Sequence, residues 1–399
     1  MRSATKNSNR GFSLIELLIA LAVGVLVLGA AVQLFSKSVT ATWLVSQRAE
    51  LQEDARAASN LLTKDISLAG AGMPSGGIAL ASGTATAPVY GCSYNGTCYL
   101  GAANTAAVKY PTQTVGASTI NYMYGVIPGC QAGITVSALQ GPTDTITVVY
   151  ADNAFLLSDY TVTLNATGTQ ATFTLPSPAP NPLDQPVDST AVGLQAGDLV
   201  LFQTKLGSGT GTTTGYAVGE VTNPLPTGTG PSYTVNFTTA DPLQFNQSTA
   251  TSGDMKQIAA GTGTIGTRIW VTTYYLKILP DPLGVGAGTP VLMRQVNGRT
   301  PVPVAENVVN LQFTYDTYDT SGNLLHATCD GGESLGVSPN LIRTINIAHL
   351  TLRSQMAGGN MVVQNVKPNL ASGALTGYQG YDVQTSISAR NLSFSQRYQ

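Results

Sequence analysis

An uninterrupted apolar run near the N-terminus constrains the fold of this chain most. The run extends from Phe12 to Phe35 and contains only three polar residues. At about 1.5 Å per helical residue it would form a helix of about 36 Å, and a bilayer core is about 30 Å thick. Residues 1–11 carry three basic side chains and no acidic one, which favours a cytoplasmic N-terminus. The sequence therefore predicts a membrane-spanning helix at the start of the chain.

One carboxylate, Glu16, lies inside this run and sets it apart from a simple secretory signal. An isolated charge in a membrane segment costs about 3 kcal/mol even on lenient scales, so it normally has a partner and a role. Cleavage between Gly11 and Phe12 would create such a partner, because the new α-amine of Phe12 could neutralise Glu16 in a neighbouring copy of the helix. The alternative is a cleaved secretory signal that ends near residues 29–31, Gly-Ala-Ala.

The segment RGFSLIELLIALAVGVLVLGAAVQLF resembles the class III signal of type IV pilins and of type II secretion pseudopilins. In that family a prepilin peptidase cuts after the glycine and methylates the new first residue. The resemblance implies that Gly11 precedes the cut, that Phe12 becomes an N-methylphenylalanine and that Glu16 serves in filament assembly. Major pilins often carry a helix-kinking proline later in this helix, whereas the first proline here is Pro74.

The next segment, residues 36–70, is predicted to continue the helix in amphipathic form. Apolar residues recur at helical spacing along one face, and charged residues occupy the other faces. Gly70, Gly72 and Pro74 are expected to end the helix. The apolar face comprises Leu44, Leu51, Ala55, Ala58, Leu62, Ile66 and Ala69, and the charged residues are Glu50, Glu53, Asp54, Arg56, Lys64 and Asp65.

Residues 49–72, AELQEDARAASNLLTKDISLAGAG, are similar to the corresponding region of minor pilins of the PilW type. The segments AENVVNLQFTYDT, LIRTINIAHLTLRSQ and SISARNL in the last hundred residues extend this likeness. The matching residues are Gln52, Glu53, Arg56, Asp65, Ala69-Gly70 and, near the C-terminus, Arg390-Asn391. The resemblance implies a type IV pilin-like fold of the α+β class, with one long N-terminal helix packed on a large β-rich head.

The rest of the chain independently predicts an all-β region behind the helix. Short β-prone runs such as DTITVVYA and GDLVLFQT recur between turn signals, and the chain contains 43 Gly and 21 Pro. We therefore expect a leader at 1–11, a transmembrane half-helix at 12–35, an amphipathic half-helix at 36–70 and an extracytoplasmic head at 71–399. The proline-rich stretch at 176–186 is a candidate for subdivision of the head.

The low charge content excludes a nucleic-acid-binding protein. Only 10% of the residues are charged, and 19 Lys and Arg are balanced by 21 Asp and Glu. Nucleic-acid binding relies on a basic surface that displaces counterions from phosphates. The sequence predicts no contact with nucleic acid.

All four cysteines lie in the head, on the side that the basic flank places outside the cytoplasm. An even number of cysteines there favours disulfides. We favour a local Cys92–Cys98 pair, which leaves Cys130 and Cys329 to connect distant parts of the head. A zinc site is the competing interpretation, but no Cys-x-x-Cys pair is present and the site would need His326.

No motif predicts catalysis, and we expect the protein not to be an enzyme. His326 is predicted in a polar loop and His349 in a strand, where a structural role is favoured over that of a base. The chain has no G-x-S-x-G, H-E-x-x-H or P-loop motif. Residues 261–266 spell G-x-G-x-x-G, but a strand-like run follows them, so we interpret them as a glycine turn rather than a phosphate site.

One loop carries a weak candidate for a Ca²⁺ site. Oxygen-bearing side chains cluster around a glycine there, as in some calcium-binding loops, although the spacing differs from that of an EF-hand. A solvated β-turn is the alternative, and no other cofactor or metal is predicted. The candidate ligands are Asp316, Asp319, Ser321 and Asn323.

The leading hypothesis from the sequence is a structural one, namely a minor pilin. The PilW-type resemblance implies a role in priming pilus assembly, at or near the filament tip, in support of adhesion, motility or DNA uptake. Its partners would be other minor pilins, the major pilin, the prepilin peptidase and the inner-membrane assembly platform. The alternatives are a type II secretion pseudopilin and, from a different class, a membrane-anchored or secreted β-rich enzyme or carbohydrate-binding module.

Overall fold

The computed structural model describes most of the chain from Phe12 onward. The predicted leader at 1–11, the Arg390-Asn391 pair and part of the proline-rich stretch at 176–186 lie outside the described residues. The described residues are 12–83, 86–92, 98–100, 108–115, 117–136, 141–179, 186–207, 211–223, 225–247, 249–281, 288–319, 321–329, 335, 337–353 and 380–389.

The first element is helix α1, Leu14–Ser67. Its sequence is rich in Ala and Leu and lacks proline, so no residue interrupts the backbone hydrogen bonds. The predicted apolar face is buried from Leu51 to Ala69, whereas Leu44 is only half-buried. Asp65, predicted on a charged outer face, is instead buried with 2% of its surface exposed, because it faces an arginine of the head.

The helix ends three residues earlier than the sequence predicts. The chain turns after Ser67, and Gly70 and Gly72 adopt left-handed backbone conformations with φ of 74° and 69°, which glycine reaches without a steric penalty. Gly70 then donates its N–H to the Val149 carbonyl at 2.8 Å, and Ala71 accepts from the N–H of Ala151 at 2.7 Å. The segment after the helix is therefore hydrogen-bonded to a strand of the head.

Strands follow, with one short helix, α2, at Met255–Ile258. The pattern confirms the predicted β-rich head. In chain order the strands are β1 Ile78–Ala79, β2 Ser82–Gly83, β3 Val89–Tyr90, β4 Val108–Lys109, β5 Thr112–Val115, β6 Ser118–Met123, β7 Val126–Gly129, β8 Thr145–Ala151, β9 Thr161–Leu164, β10 Gln170–Thr174, β11 Leu199–Leu206, β12 Thr213–Glu220, β13 Thr227–Thr229, β14 Ser232–Asn236, β15 Ala250–Ser252, β16 Thr262–Leu279, β17 Thr289–Val296, β18 Val302–Glu306, β19 Val308–Tyr318, β20 Leu324–Thr328, β21 Ile342–Arg353 and β22 Gly380–Ser388.

The head is built on an antiparallel sheet of eleven strands among the described residues. Its main path runs β12-β11-β16-β9-β10-β14-β13; β17 and β8 also pair with β16, β18 pairs with β17, and β7 pairs with β8. The long strand β16 is thus the organising element, since it pairs with β11, β9, β8 and β17 along its length. The sheet contains strands from both sides of the stretch at 176–186.

The glycine motif at 261–266 lies largely within β16, so the interpretation as a turn is wrong for most of it. Gly266 pairs with Phe202 of β11, and a Cβ there would lie 2.9 Å from the ring of Phe173. The glycine is needed because an aromatic ring packs directly on the backbone of the strand.

Both faces of the large sheet are covered by apolar clusters. Alternate residues of β11 divide between them: Leu199 and Leu201 belong to one cluster, and Val200 and Phe202 to the other. Side chains alternate between the faces of a strand, so this pattern is that of a sheet buried on both sides.

A second sheet of four strands has the order β20-β19-β21-β22. The buried carboxylate of Asp144 links it to the large sheet by accepting N–H bonds from Gln131 and Phe313, each at 2.8 Å. Smaller sheets contain β1-β6-β5, β15-β2 and β3-β4.

The chain divides into two compact units, Met1–Leu51 and Gln52–Gln399. The second unit contains the last turns of α1 together with all the strands. Those last turns and the strands therefore form a single packing unit.

Candidate processing and assembly site

The predicted processing segment begins at the N-terminus of α1. The N–H of Ser13 donates to Oε2 of Glu16 at 3.0 Å, and the N–H of Glu16 donates to Oγ of Ser13 at 3.3 Å. This reciprocal pair is a capping box, which satisfies two backbone donors at the start of the helix. Glu16 also lies in the first turn, where the helix dipole favours a negative charge.

The apolar half of α1 presents its side chains outward in the single chain. Phe12 is 88% exposed, and the large apolar residues that follow it are exposed as well. By length and composition the helix is long and apolar enough to cross a membrane. Such a surface needs lipid or other helices to cover it, because water solvates it poorly.

Glu16 is the one acidic residue on this apolar surface between Phe12 and Phe35. Within the described part of the chain it forms no ion pair, and its carboxylate hydrogen-bonds only within its own helical turn. The candidate cleavage residue Gly11 lies outside the described residues. The carboxylate is thus positioned on the outside of the helix, four residues from Phe12.

At the other end of α1, Asp65 anchors the helix to the head. Its Oδ2 lies 2.7 Å from Nε of Arg294 on β17 and accepts the hydroxyl of Tyr274 on β16 at 2.7 Å. Burial and the neighbouring Asp65 raise the pKa of Tyr274, so that its hydroxyl remains a donor. Burial lowers the pKa of Arg294, but the bond to Asp65 and its charge more than compensate and raise it overall.

Sequence reasoning missed Arg294 and Tyr274 as the partners of Asp65. A signal was present in the sequence, since Arg294 is the one charged residue in the apolar run at 290–296. Charged groups in such runs are usually paired, but spacing along the chain cannot identify a partner 229 residues away.

The four cysteines form two disulfides, Cys92–Cys98 and Cys130–Cys329, and no cysteine is free in the described chain. These are the two pairs that the sequence favoured. The second one joins residues 199 positions apart, next to the link between the two larger sheets made by Asp144.

The two histidines lie on the four-stranded sheet, and each binds an aspartate through Nδ1. His326 contacts Asp316 at 2.7 Å, and His349 contacts Asp382 at 2.9 Å. The prediction of a polar loop for His326 is wrong, because the residue lies in β20 opposite Asp316. The β-prone sequence LLHAT extends the hairpin beyond the turn.

The candidate calcium ligands form hydrogen bonds with other groups of the protein. Asp319 accepts the N–H groups of Ser321 and Asn323 and the Asn323 amide, all within the turn, and these bonds lower the pKa of Asp319. Asp316 bonds to His326 on the sheet. The described residues contain no group of three or more His, Cys, Asp or Glu side chains suited to a metal ion, and calcium binding by this turn stays a prediction.

Comparison with known proteins supports the N-terminal assignment. The family model for the prokaryotic N-terminal methylation motif matches residues 6–32. No curated protein and no solved structure matches the chain.

The motif, the apolar helix that follows it and the large β-rich head support a type IV pilin-like protein. The class includes the type IV pilins and the pseudopilins, which are processed by a prepilin peptidase and assemble with other pilins. An apolar N-terminal helix of this kind fits a protein that is anchored in the inner membrane before assembly into a pilus.

Proposed function

We propose that this protein is a minor pilin of the PilW type that takes part in priming a type IV pilus. The observation that carries the proposal is a single carboxylate, Glu16, on an otherwise apolar and exposed helix surface inside the methylation motif. The similarity of residues 49–72 to PilW-type proteins favours a minor pilin over a major one, and the large head favours it over a type II secretion pseudopilin.

Processing would give the helix the charged N-terminal amine that it needs for assembly. The peptidase cuts between Gly11 and Phe12, methylates the new amine and leaves a positive charge four residues from Glu16. The charged Phe12 amine then pairs with the Glu16 carboxylate of a neighbouring subunit. This pairing is favourable because both charges are buried among apolar helices, where a charge without a partner costs several kcal/mol.

The membrane arrangement follows from the charge distribution. Residues 1–11 stay in the cytoplasm, the helix crosses the inner membrane and the disulfide-bonded head lies in the periplasm before assembly. The partners are the major pilin, other minor pilins, the prepilin peptidase and the assembly platform, and the position at the filament tip is part of the proposal.

The test is incorporation of Glu16→Ala into filaments in the native host. The variant should insert into the membrane and be cleaved normally, but it should be absent from sheared pili on immunoblots. Gln33→Ala is the matched control, since Gln33 is another polar residue of the same apolar run, and it should be incorporated normally. Normal incorporation of Glu16→Ala would refute the role of the carboxylate.

Two further measurements separate this function from its alternatives. Mass spectrometry of the mature chain should find N-methylphenylalanine at Phe12, whereas a start near Val32 would indicate ordinary secretion of a β-rich enzyme or binding module. Deletion of the gene should abolish surface pili and leave protein secretion intact. A type II secretion pseudopilin would give the opposite result.

A further inference from the structure

A wide groove opens on the head between two edge strands. It has a volume of about 1060 Å³ and is bordered by β5, by β7, by Leu335 and by residues 337–339. Strand β5 is the edge of the three-stranded sheet, and β7 pairs only with β8 in the described sheets. Ligand pockets usually measure about 300–1,000 Å³, so this groove lies at the upper end of that range and has room for an oligomer.

The described walls of the groove are almost uncharged. Lys109 is the only charged side chain among the described residues that line it. Its walls combine neutral hydrogen-bonding side chains with apolar faces. The hydrogen-bonding residues are Thr112, Gln113, Gln131, Thr135 and Ser338, and the apolar faces include Pro111, Pro128 and Pro339.

Two glutamine side chains in the groove are held in place by the protein. The Tyr124 hydroxyl donates to Oε1 of Gln113 at 2.9 Å, so the amide N–H groups of this groove-lining residue remain as donors. The amide of Gln131 donates to the Cys329 carbonyl at 3.1 Å, so its oxygen remains as an acceptor. The groove thus holds a fixed donor and a fixed acceptor, which lowers the entropic cost of binding.

The backbone at Gln131 is itself strained. Its φ is 53°, a conformation that side chains other than glycine rarely adopt. The buried carboxylate of Asp144 holds it there by accepting its N–H at 2.8 Å, and the Cys130–Cys329 disulfide adjoins it. Strain that the surrounding structure maintains is often found at binding sites.

From these observations we propose that the groove binds a neutral oligosaccharide. Sugar rings present hydroxyl groups, which match the fixed amides and the threonines, and apolar C–H faces, which pack on the half-buried prolines Pro111, Pro128 and Pro339. An anionic polymer would need more cations than Lys109. An extended peptide would add to an edge strand through N–H groups; Pro128 in β7 has none, so such a peptide could pair only with β5. The proposal does not depend on the role in pilus assembly.

The test is calorimetric titration of the full-length protein in lauryldimethylamine oxide, a detergent without a sugar headgroup. The probes are neutral tetrasaccharides of glucose, galactose, mannose and N-acetylglucosamine, with tetragalacturonate as the charged probe. At least one neutral probe should bind with a Kd below about 1 mM. Gln113→Ala should weaken that binding by up to about tenfold.

Two control variants make the result specific. Thr114→Ala lies on the same strand β5, but Thr114 does not line the groove, so the affinity should be unchanged. Lys109→Gln should change the affinity for the neutral probe by less than about twofold. The proposal is overturned if no neutral probe binds, if Gln113→Ala binds as tightly as Thr114→Ala, or if tetragalacturonate binds more tightly through Lys109. Thermal unfolding of each variant verifies that the fold is intact.

Discussion

The carboxylate of Asp65 lies 2.7 Å from the guanidinium Nε of Arg294, and this ion pair fastens the end of helix α1 to strand β17. Asp65 is almost fully buried, whereas about a quarter of the Arg294 side chain is exposed. Tyr274 donates to the same carboxylate oxygen. The pair therefore lies at the point where the helix joins the head. Removal of Arg294 would leave the buried carboxylate of Asp65 without its cation.

Removal of the arginine should destabilise the second unit of the protein. Loss of one partner of a buried pair costs about 3–5 kcal/mol, and we expect about 3 kcal/mol for Arg294→Ala because Tyr274 still donates to Asp65. The measurement is denaturant unfolding of the full-length chain in detergent micelles. The control Lys205→Ala removes an exposed cation from β11 and should change the free energy of unfolding by less than about 0.5 kcal/mol. Equal stability of the two variants would contradict the anchoring role.

The second prediction concerns the same junction between α1 and the head, where two backbone segments pack closely against each other. A Cβ at Gly125 would lie 2.6 Å from Cα of Gly70, just after the helix. Backbone atoms cannot rotate away, so Gly125→Ala should separate the two segments and cost about 3 kcal/mol. Gly76→Ala is the matched control, since nothing lies within 4 Å of its Cβ position. Thermal unfolding should show a large loss for the first variant and almost none for the second.

The two disulfides should contribute unequally to stability. In the chain-entropy model a loop closed over 199 residues is worth about 5 kcal/mol and one closed over 6 residues about 2 kcal/mol. Replacement of both Cys130 and Cys329 by Ser should therefore destabilise the protein more than replacement of both Cys92 and Cys98. Unfolding of the two double variants under non-reducing conditions checks the order, and the reverse order would contradict it.

Much of the fold could be predicted from local patterns. Helical spacing predicted the buried face that includes Leu62 and Ile66, and β-prone runs predicted the long strands. The order of the strands could not be predicted, because antiparallel pairs such as Trp270 with Tyr150 join residues far apart in sequence. Likewise, the methylation motif drew attention to Glu16 through local sequence, whereas the partners of Asp65 and the walls of the groove come together only through the sheet topology.

A buried pair of carboxyl groups should make the stability of the head depend on pH. Glu220 at the end of β12 is only 2% exposed, and Asp241 is buried as well. The side chains of Glu220 and Asp241 share a hydrogen bond, and Oδ2 of Asp241 also accepts two backbone N–H groups. Burial, reinforced by the charge of Asp241, raises the pKa of Glu220 to about 9.

The direction of the effect follows from proton linkage. Burial also raises the pKa of Asp241, so the folded state retains protons that the unfolded state has already released above a pH of about 4.5. Stability therefore falls as the pH rises through the interval up to about 9. Between pH 5 and pH 8 we expect a loss on the order of 2–4 kcal/mol.

Glu220→Gln tests this assignment because an amide keeps the shape of the protonated carboxyl and donates to Asp241 without titrating. The variant should match the wild type at pH 5, exceed it at pH 8 and lose most of the slope between them in thermal unfolding of the full-length chain. Glu306→Gln, at an exposed position on β18, should retain the slope of the wild type. Glutamine cannot titrate. If the Glu220→Gln variant keeps the pH dependence of the wild type, this pair does not hold the proton that causes it.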